Sequence, residues 1–472
     1  MPVLRHPTQV QRINLPVRSA QIAAETDVLV VGGGPAGIGA ALGAAETGVD
    51  VILVERYGFL GGNATAALIM PLMSFHTQKK RDEKPGDVSL LPTDQGRGGE
   101  PVLAGVVKSF VERLVQGGGA IRPSFKTGYT IPFDPEVFKL TALEMLDEAG
   151  VHFLFHSFAS DVLVTDQKIK GVVFETKSGP IVIQARVVVD CTGDADIAQL
   201  SNAPFEIGRE EDRLVQPMTL AFRMTDFNRN AFQEYVKQNP DQWKGVHGLW
   251  DLIKQATLKG ELKLTREDIL FFATPHEKEV SINSTRVIRV LGTDVWDLSY
   301  AEYQSRQQMK QLAAFLRKYV PGFEDSYVVQ SGVNVGVRET RRIVGEYQLT
   351  VDDILQAKKF SDTIARSTYP VDIHNPEGTG TILKRVPDGD FYDIPLRCLI
   401  PQRIENLVVA GRCISGTHEA FSSYRVMPVS MATGQAAGVC AALSAKSMKV
   451  SPRLIPFQDV QQVLIRQGAD LQ

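Results

Sequence analysis

The chain opens with an apolar pattern typical of a strand, a turn and a helix in succession. Residues 27–31 (DVLVV) form a continuous apolar run that ends in a glycine cluster. A helix-like segment, IGAALGAAETG, follows, and a second apolar run, VDVILVE, occupies residues 49–55. Short apolar runs bounded by glycine are typical of buried strands. The pattern therefore predicts one β-α-β unit of a parallel sheet.

Amphipathic helices and short strands are predicted after this unit. Residues 101–117 and 134–149 have apolar residues at helical spacing, and the second segment opens with Asp-Pro-Glu in N-cap order. Runs rich in β-formers begin at residues 151, 161, 170 and 180, and their spacing predicts an antiparallel layer beside the parallel sheet. The polar stretch 79–100 predicts a long loop, either a solvated excursion or a lid.

The order of these elements predicts an α/β protein with an insertion. Residues 201–395 mix strands and helices, and a strand followed by a small-residue helix returns at 406–411 and 426–446. We therefore expect a discontinuous Rossmann-like domain, a parallel sheet with an antiparallel β layer, over residues 26–200 and 396–446. The remaining segments are an N-terminal extension (1–25), an inserted α+β domain (201–395) and a C-terminal helix or tail (447–472).

Composition and charge exclude several classes of protein. The 472 residues are 43% hydrophobic and 22% charged, which excludes global disorder. With 51 Lys and Arg against 54 Asp and Glu, and without a basic block, we expect no nucleic-acid partner. The four cysteines include no Cys-x-x-Cys pair, so neither a disulfide framework nor a metal site is predicted. We expect a cytoplasmic protein without a membrane span, because the N-terminus has no signal-peptide pattern and glycines interrupt the apolar stretch 28–45.

The glycine cluster after the first strand is the first motif that points to chemistry. Residues 32–37 (GGGPAG) contain G-x-G-x-x-G between a strand and a helix, and Glu55 ends the next strand. In this context Gly32 permits a tight turn, Gly34 lets backbone amides approach a pyrophosphate, and Gly37 lets helix and strand pack closely. Glu55 would accept hydrogen bonds from ribose hydroxyls. The motif predicts a dinucleotide-binding site.

Three further segments follow in the order typical of one superfamily. The first is the glycine-rich run 56–65, the second is an apolar strand that ends in Thr192-Gly193-Asp194, and the third is the strand end at Gly411 with the helix that follows. Unpaired amides at the start of that helix form an anion site. Together the four segments resemble the FAD-dependent oxidoreductases of the glutathione-reductase-like flavoprotein superfamily, over essentially the whole chain.

Residues 336–347, 372–375 and 411–420 resemble a narrower bacterial subgroup, the FAD-dependent oxidoreductases of mostly unassigned substrate. The resemblance implies an FAD domain closed by a substrate or cap domain, with a small-molecule substrate between them. We expect FAD to be bound non-covalently, because residues 61–65 offer no His or Cys; His76 and Cys413 are possible exceptions. The implied FAD-binding residues are Gly32, Gly34, Pro35, Ala36, Gly37, Glu55, Arg56, Gly61, Gly62, Asn63, Ala64, Thr65, Thr192, Gly193, Asp194, Gly411, Arg412, Met427, Thr433, Gly434 and Gln435.

Candidate residues for the reaction lie in the same late segments. His418 is the first candidate for handling a proton, because it lies between the strand end at Gly411 and the helix expected to face the flavin. His374 is the second candidate. Arg338 and Arg425 are candidates to clamp an oxyanion or carboxylate, whereas the arginines at 341 and 342 are expected to tie the domains together by salt bridges.

We therefore expect an FAD-dependent oxidoreductase that transfers a hydride between a small organic metabolite and flavin N5. It would act as a monomer or homodimer, with an unidentified electron acceptor and no metal. The lack of Cys-x-x-Cys near the first helix excludes dithiol chemistry, and Gly411-Arg412, where related hydroxylases carry Gly-Asp, counts against a monooxygenase. Two alternatives stay open: a flavoprotein whose FAD is not catalytic, and a nucleotide-modifying or thiazole-forming enzyme of the same fold.

Overall fold

A computed structural model describes residues 3–471 except 5, 8–11, 75, 79–84, 92–98, 125–126 and 448–450. Much of the loop predicted at 79–100 therefore lies outside the described residues. Numbered in chain order, the strands are β1 (Gln21–Val31), β2 (Val51–Val54), β3 (His152–Leu154), β4 (Phe158–Thr165), β5 (Lys168–Thr176), β6 (Gly179–Asp190), β7 (Phe205–Ile207), β8 (Phe222–Thr225), β9 (Trp243–Lys244), β10 (His247–Gly248), β11 (Ile269–Ala273), β12 (Val280–Ile282), β13 (Tyr327–Ser331), β14 (Arg341–Ile343), β15 (Thr363–Ser367), β16 (Val371–His374), β17 (Thr381–Lys384), β18 (Tyr392–Pro395) and β19 (Leu407–Val409).

The helices are spread over the whole chain. In chain order they are α1 (Pro35–Glu46), α2 (Val106–Gln116), α3 (Pro135–Glu148), α4 (Asp196–Leu200), α5 (Arg229–Gln238), α6 (Trp250–Leu258), α7 (Val295–Tyr319), α8 (Val351–Leu355), α9 (His418–Tyr424), α10 (Met427–Lys446) and α11 (Phe457–Arg466). Among the described residues, no single helix is long and apolar enough to cross a membrane, although the bent pair of α9 and α10 meets that test by length and composition.

A mixed sheet with the strand order β3-β2-β1-β6-β5-β4 organises the first unit. Strand β1 pairs in parallel with β2 and with β6, and β3 pairs in parallel with β2. Strand β6 pairs antiparallel with β5 along its first half and parallel with β19 along its second half. The predicted α/β fold is confirmed. Because β1, β2, β6 and β19 are parallel, their carboxyl ends meet at one edge of the sheet.

The run at residue 151 differs from the prediction. It forms β3, which is parallel to β2, and it does not join an antiparallel layer. Strands β4 and β5 are antiparallel, as expected, but they continue the same sheet through β6. A short apolar run shows no direction of its own, and pairing with a distant strand decides it. The helices predicted at 134–149 and 426–446 are confirmed as α3 and α10, and that at 101–117 shortens to α2.

A second, antiparallel sheet with the order β13-β8-β12-β11-β10-β9 lies inside the predicted insertion. Its core is aromatic and includes Phe222, Phe232, Trp243, Phe271 and Phe323, all fully buried. The apolar side chains of 349–394, by contrast, pack in the same core as α1 and α10. The domain boundaries at 201 and 395 stay a prediction. The buried apolar side chains of 349–394 belong to the core around α1 and α10.

Helices α1 and α10 touch backbone to backbone. A Cβ added at Gly39 of α1 would lie 2.1 Å from the carbonyl oxygen of Met431, and one added at Gly434 of α10 would lie 2.0 Å from that of Ala36. Gly438 repeats the contact one turn later, with 2.0 Å to the carbonyl oxygen of Ala40. Side chains cannot enter such an interface. The two helices are therefore held in one register, and both begin at the carboxyl edge of the sheet.

We expect Gly434→Ala to destabilise the fold by at least ~1–3 kcal/mol, because a methyl group there must displace a helix backbone. The midpoint of thermal unfolding, followed by circular dichroism, should fall by several degrees. Gly99→Ala is the matched control, since a Cβ at Gly99 would meet nothing within 4 Å. An unchanged midpoint for Gly434→Ala would show that the interface between α1 and α10 can accommodate a methyl group.

Candidate functional site

An open cleft of about 990 Å³, its mouth included, lies at the carboxyl edge of the mixed sheet. The ends of β1, β2, β6 and β19 and the starts of α1 and α10 line it. The structure thus brings residues from four separate segments of the chain around one space. The predicted FAD-binding residues that line the cleft are Gly32, Gly34, Pro35, Ala36, Glu55, Arg56, Gly62, Asn63, Thr192, Gly193, Gly411, Arg412 and Met427.

The glycines of the first turn have different tasks. Gly32 has a φ of +103°, and a Cβ there would lie 2.4 Å from the carbonyl oxygen of Cys191. A Cβ at Gly37 would lie 1.8 Å from the carbonyl oxygen of Gly32, so both residues are required by the fold. Gly34 is extended, with φ −74° and ψ −174°, and the nearest atom to its added Cβ is 3.6 Å away. Since neither backbone nor packing requires glycine at 34, its missing side chain leaves space in the cleft, as a bound pyrophosphate needs.

Glu55 holds the glycine turn in place by accepting backbone hydrogen bonds. Its Oε2 accepts the backbone N–H of Gly33 at 2.6 Å, and its Oε1 accepts that of Tyr57 at 2.9 Å. Burial raises the pKa of this carboxyl above its ordinary value, although the two N–H groups oppose the shift. Each oxygen retains a second lone pair for a ribose hydroxyl. The prediction that Glu55 binds ribose remains, with a second role in holding the turn.

The cleft receives the N-termini of two helices. The residues before them, Gly34 at α1 and Val426 at α10, provide no side-chain cap. The first backbone N–H groups of each helix therefore lack a side-chain partner, and the positive end of each helix dipole points to the cleft wall. Such ends bind anions. The phosphates of a dinucleotide match this arrangement.

Arg412 closes one wall of the cleft by binding the protein itself. Its Nε donates to the carbonyl oxygen of Gly193 at 2.5 Å, its Nη2 to Asp194 Oδ1 at 2.5 Å, and its Nη1 to the carbonyl oxygen of Val337. Thr340 Oγ1 donates to the same Asp194 oxygen at 2.8 Å. The Asp194 carboxylate is thereby engaged inside the protein and does not line the cleft.

Other predicted FAD-binding residues support the cleft without lining it. Thr65 Oγ1 donates to the carbonyl oxygen of Leu60 at 2.6 Å, and Thr433 Oγ1 accepts the backbone N–H of Gly411 at 3.2 Å. Gln435 Oε1 accepts the backbone N–H of Val106, at the start of α2, at 3.2 Å. The remaining members of this group are Gly37, Gly61, Ala64 and Gly434.

Sequence reasoning missed several residues that line the cleft. Ser157, Phe158 and Ala159 follow β3. The rule that sites lie at the carboxyl ends of parallel strands would have found them, had β3 been predicted as parallel. Asp196, at the start of α4, also lines the cleft, and burial together with Asp194 and Asp190 raises its pKa to about 6. Tyr57 and Asn334 line it as well.

Three of the four residues proposed for the reaction meet beside this cleft. Arg425 lines the cleft, and its Nη2 is 3.4 Å from Asp372 Oδ2. His374 Nε2 is 3.5 Å from the same oxygen, and the Tyr369 hydroxyl donates to it at 3.0 Å. Arg338 lies in the same group and donates to Thr219 Oγ1 at 3.5 Å. These contacts lead from the cleft through Arg425 and Asp372 to His374.

The hydrogen bonds of His374 determine its tautomer. Arg286 Nη2 lies 3.1 Å from His374 Nδ1, and because arginine only donates, Nδ1 carries the lone pair and Nε2 carries the proton. Burial lowers the pKa of His374 to about 4, although the Asp372 carboxylate opposes the shift. The ring is therefore neutral at pH 7. Burial alone would raise the pKa of Asp372, but His374 and Arg425 hold it below its ordinary value.

His418 lies elsewhere. The sequence placed it between the strand end at Gly411 and the helix expected to face the flavin. In the structure it is the first residue of a separate short helix, α9, which begins there because Thr417 Oγ1 accepts the N–H of Ala420 at 3.2 Å. The ring is 7% exposed and does not line the cleft. Its Nδ1 is 2.9 Å from Glu339 Oε1, which also accepts from Arg342 Nη1 at 2.5 Å.

The family described as "FAD dependent oxidoreductase" matches residues 27–464 of this chain. Thiamine thiazole synthase of Methanococcus vannielii is 28% identical over 189 residues, which is 37% of this chain and 58% of that protein. Urocanate reductase of Eggerthella lenta is 38% identical over 84 residues, 17% of this chain and 13% of that protein. The chain therefore spans less than two thirds of each of these relatives. A solved geranylgeranyl bacteriochlorophyll reductase-like protein of Thermoplasma acidophilum aligns over 94% of this chain and 82% of its own, at 12% identity and a TM-score of 0.43.

We expect Gly34→Val to fold and to lose FAD, because the fold has room for a Cβ at 34 but the cleft does not have room for cofactor and side chain together. Flavin released by acid, measured by absorbance per chain, should fall to near zero while circular dichroism stays as in the wild type. In the wild type all the colour should leave the pellet, as non-covalent binding requires. Gly37→Val should lose both fold and FAD. FAD bound at wild-type stoichiometry by Gly34→Val would contradict the assignment of the cleft.

We expect the thermal stability of the protein to fall as the pH falls from 6.5 to 4. In the folded state the pKa of His374 is about 4, against 6.5 ordinarily, so the unfolded state binds an extra proton in this window and is favoured there. His76, whose pKa burial also lowers to about 4, acts in the same direction. His374→Gln should therefore reduce by about one the difference in bound protons between the unfolded and folded states. The unfolding free energy should then change less steeply with pH, by ~1.4 kcal/mol per pH unit at most.

The measurement is the unfolding midpoint between pH 4.5 and 7, compared as a slope because the substitution also changes the absolute stability. His152→Gln, on the exposed β3, is the control and should keep the wild-type slope. Equal slopes for His374→Gln and the wild type would show that the fold does not lower the pKa of His374.

Proposed function

Because the chain belongs to the FAD dependent oxidoreductase family, we propose that it is an enzyme that transfers a hydride between a small organic metabolite and the flavin of its FAD. The observation that supports this most directly is the cleft at the sheet edge. There, the missing side chain of Gly34 leaves space for a pyrophosphate. The uncapped starts of α1 and α10 offer backbone N–H donors to it.

The residues proposed to hold FAD follow from the contacts around the cleft. The turn at Gly34 and the start of α1 would bind phosphate, Glu55 would bind ribose, and Met427 at the start of α10 would lie beside the flavin. FAD, when bound, supplies an acceptor for two electrons. The protein's own contribution is to place these donors rigidly, since α1 and α10 are locked together by Gly434 and its neighbours.

Loss of a hydride from an alcohol or amine also requires a group that takes a proton. We assign this role to His374 ahead of His418. The His374 ring is neutral, Asp372 holds the N–H at Nε2, and Nδ1 carries the lone pair that would accept the proton. Arg425 connects this pair to the cleft. Neither ring lines the cleft, but the contacts of His374 lead to it through Asp372 and Arg425. His418, the first candidate from the sequence, has its Nδ1 engaged by Glu339 instead.

A second candidate function is thiazole formation, which the likeness to thiamine thiazole synthase favours. The two functions differ in what a denatured sample should contain. An oxidoreductase should release FAD alone, whereas a thiazole-forming enzyme should also release a thiazole-containing product. Mass spectrometry of the small molecules freed by acid distinguishes them.

We expect anaerobic mixing with pooled polyols, sugars, hydroxy acids and amines to bleach the flavin absorbance with at least one pool. The active compound then serves in single-turnover measurements. His374→Asn should slow the bleaching by at least ~10²-fold with FAD content unchanged, the usual effect of losing a general base. His418→Asn should bleach at near the wild-type rate and unfold at a lower temperature, because it removes a buried contact to Glu339.

Slow flavin bleaching by His418→Asn together with a wild-type rate for His374→Asn would reverse the assignment of the proton-handling residue. Bound FAD that no pool bleaches would instead support the alternative of a flavoprotein without turnover. These outcomes are distinct, because the first needs an active wild type and the second excludes one.

A further inference from the structure

Three arginines lie around the Asp372 carboxylate beside the cleft, and one of them contacts it directly. Asp372, on β16, is 3.4 Å from Arg425 Nη2. Arg286, which follows β12, reaches the same group through His374 Nδ1 at 3.1 Å. Arg338 donates to the carbonyl oxygen of Pro217 and lies close enough to Arg425 and Arg286 to be repelled by both charges. Among the described residues, neither Arg286 nor Arg338 has a carboxylate oxygen within 4 Å.

This group carries more positive charge than its surroundings neutralise. The three guanidinium groups share the charge of Asp372, and Arg286 is also influenced by Asp268 and Glu267 from beyond 4 Å. The His374 ring is neutral at pH 7 and adds no charge. The nearest further cation, Arg266, is already paired with Asp268 at 2.9 Å. Burial and the charges of Arg425 and Arg286 lower the pKa of Arg338 to about 9. Partly buried cations without a counter-charge are unfavourable unless an anion joins them.

Two hydrogen-bond donors at the same place have no acceptor. Gln216 is fully buried, and among the described residues its Nε2 has no partner, nor does Arg425 Nε. The amide of Gln216 lies beside His374, since its Oε1 accepts the backbone N–H of that residue at 3.4 Å. Buried N–H groups without an acceptor are rare in folded proteins. Surplus charge and unused donors therefore coincide at one place.

We propose that Gln216, Arg286, Arg338 and Arg425 bind a carboxylate group of the substrate, so that the enzyme acts on a small organic acid. This inference rests on the proposed function, because it concerns the metabolite that would meet the flavin. The donors are planar guanidinium and amide side chains, which match a planar carboxylate in pairs. Backbone N–H groups at helix starts, which suit phosphate, lie instead at Gly34 and Val426, where α1 and α10 begin on the proposed cofactor side.

The site also couples substrate to the proposed proton acceptor. Arg286 donates to His374 Nδ1, the atom that would take the proton. A carboxylate bound to Arg286 competes for that donor and leaves the Thr381 hydroxyl, 3.2 Å away, as the neighbour of Nδ1. The negative charge also raises the pKa of the neighbouring imidazole. A bound organic acid therefore makes the His374 imidazole a better proton acceptor, whereas its neutral amide does not.

The test is isothermal titration calorimetry of the oxidised holoenzyme under anaerobic conditions. The probes are succinate, lactate, pyruvate and benzoate, each compared with its neutral amide, and inorganic phosphate. At least one carboxylate should bind saturably, and its amide should bind at least about tenfold more weakly, as expected when charged hydrogen bonds are lost. Arg286→Gln should weaken the carboxylate by at least about tenfold, whereas Arg317→Gln, exposed on α7, should not.

Arg338→Gln is the second test, with Arg338→Lys beside it because the side chain also holds the carbonyl oxygen of Pro217. The lysine variant retains the charge and should bind more tightly than the glutamine variant. Equal binding of acid and amide, tighter binding of phosphate than of every carboxylate, unchanged affinity in Arg286→Gln, or no saturable binding by any probe would each overturn the proposal. Calorimetry needs no turnover. A protein that binds a carboxylate but whose flavin is never bleached would therefore refute the proposed function and leave the carboxylate site standing.

Discussion

Backbone contact between α1 and α10 is the constraint on which the rest of the structure depends. Glycines at 39, 434 and 438 leave no side chain between the helices, and carbonyl groups occupy the space that a Cβ would need. Helices packed this closely cannot shift along one another, because interiors at this density have no voids to absorb the movement. Two N-termini far apart in the chain are therefore fixed at the same sheet edge. The site for an anionic cofactor thus depends on core residues that do not line the cleft.

A buried charged network joins the segments that carry the proposed substrate residues. Glu339 accepts from Arg342 Nη1 at 2.5 Å, from the backbone N–H of Gln216 at 3.0 Å and contacts His418 at 2.9 Å. It therefore joins three distant segments, and its neighbour in the chain is Arg338. Removing one partner of such a network leaves an uncompensated buried charge, which is strongly destabilising. His418 belongs to this network through its contact with Glu339.

The sequence predicted what local patterns determine. The glycine turn at 32–37, the Asp134 cap of α3 and the proline in the first turn of α10 each identify their element without knowledge of the rest of the chain. The direction of β3 depends on pairing with β2, a hundred residues away, and no property of its own three residues encodes that. Likewise Arg286 is an ordinary residue in the sequence, and only the fold brings it to His374, as it brings Asp372 to Arg425. For the same reason the unpartnered amide of Gln216 could not be foreseen.

The cofactor side and the proposed substrate side use different donors, and the difference has a consequence. Around Gly34 the donors are backbone N–H groups and helix ends, which nearly every substitution leaves in place. Around Asp372 they are side chains, and a single substitution removes any of them. A protein built in this way retains its cofactor while its substrate preference changes residue by residue. That asymmetry explains why motifs visible in the sequence identify the FAD family, whereas the substrate class has to be inferred from side chains that the fold assembles.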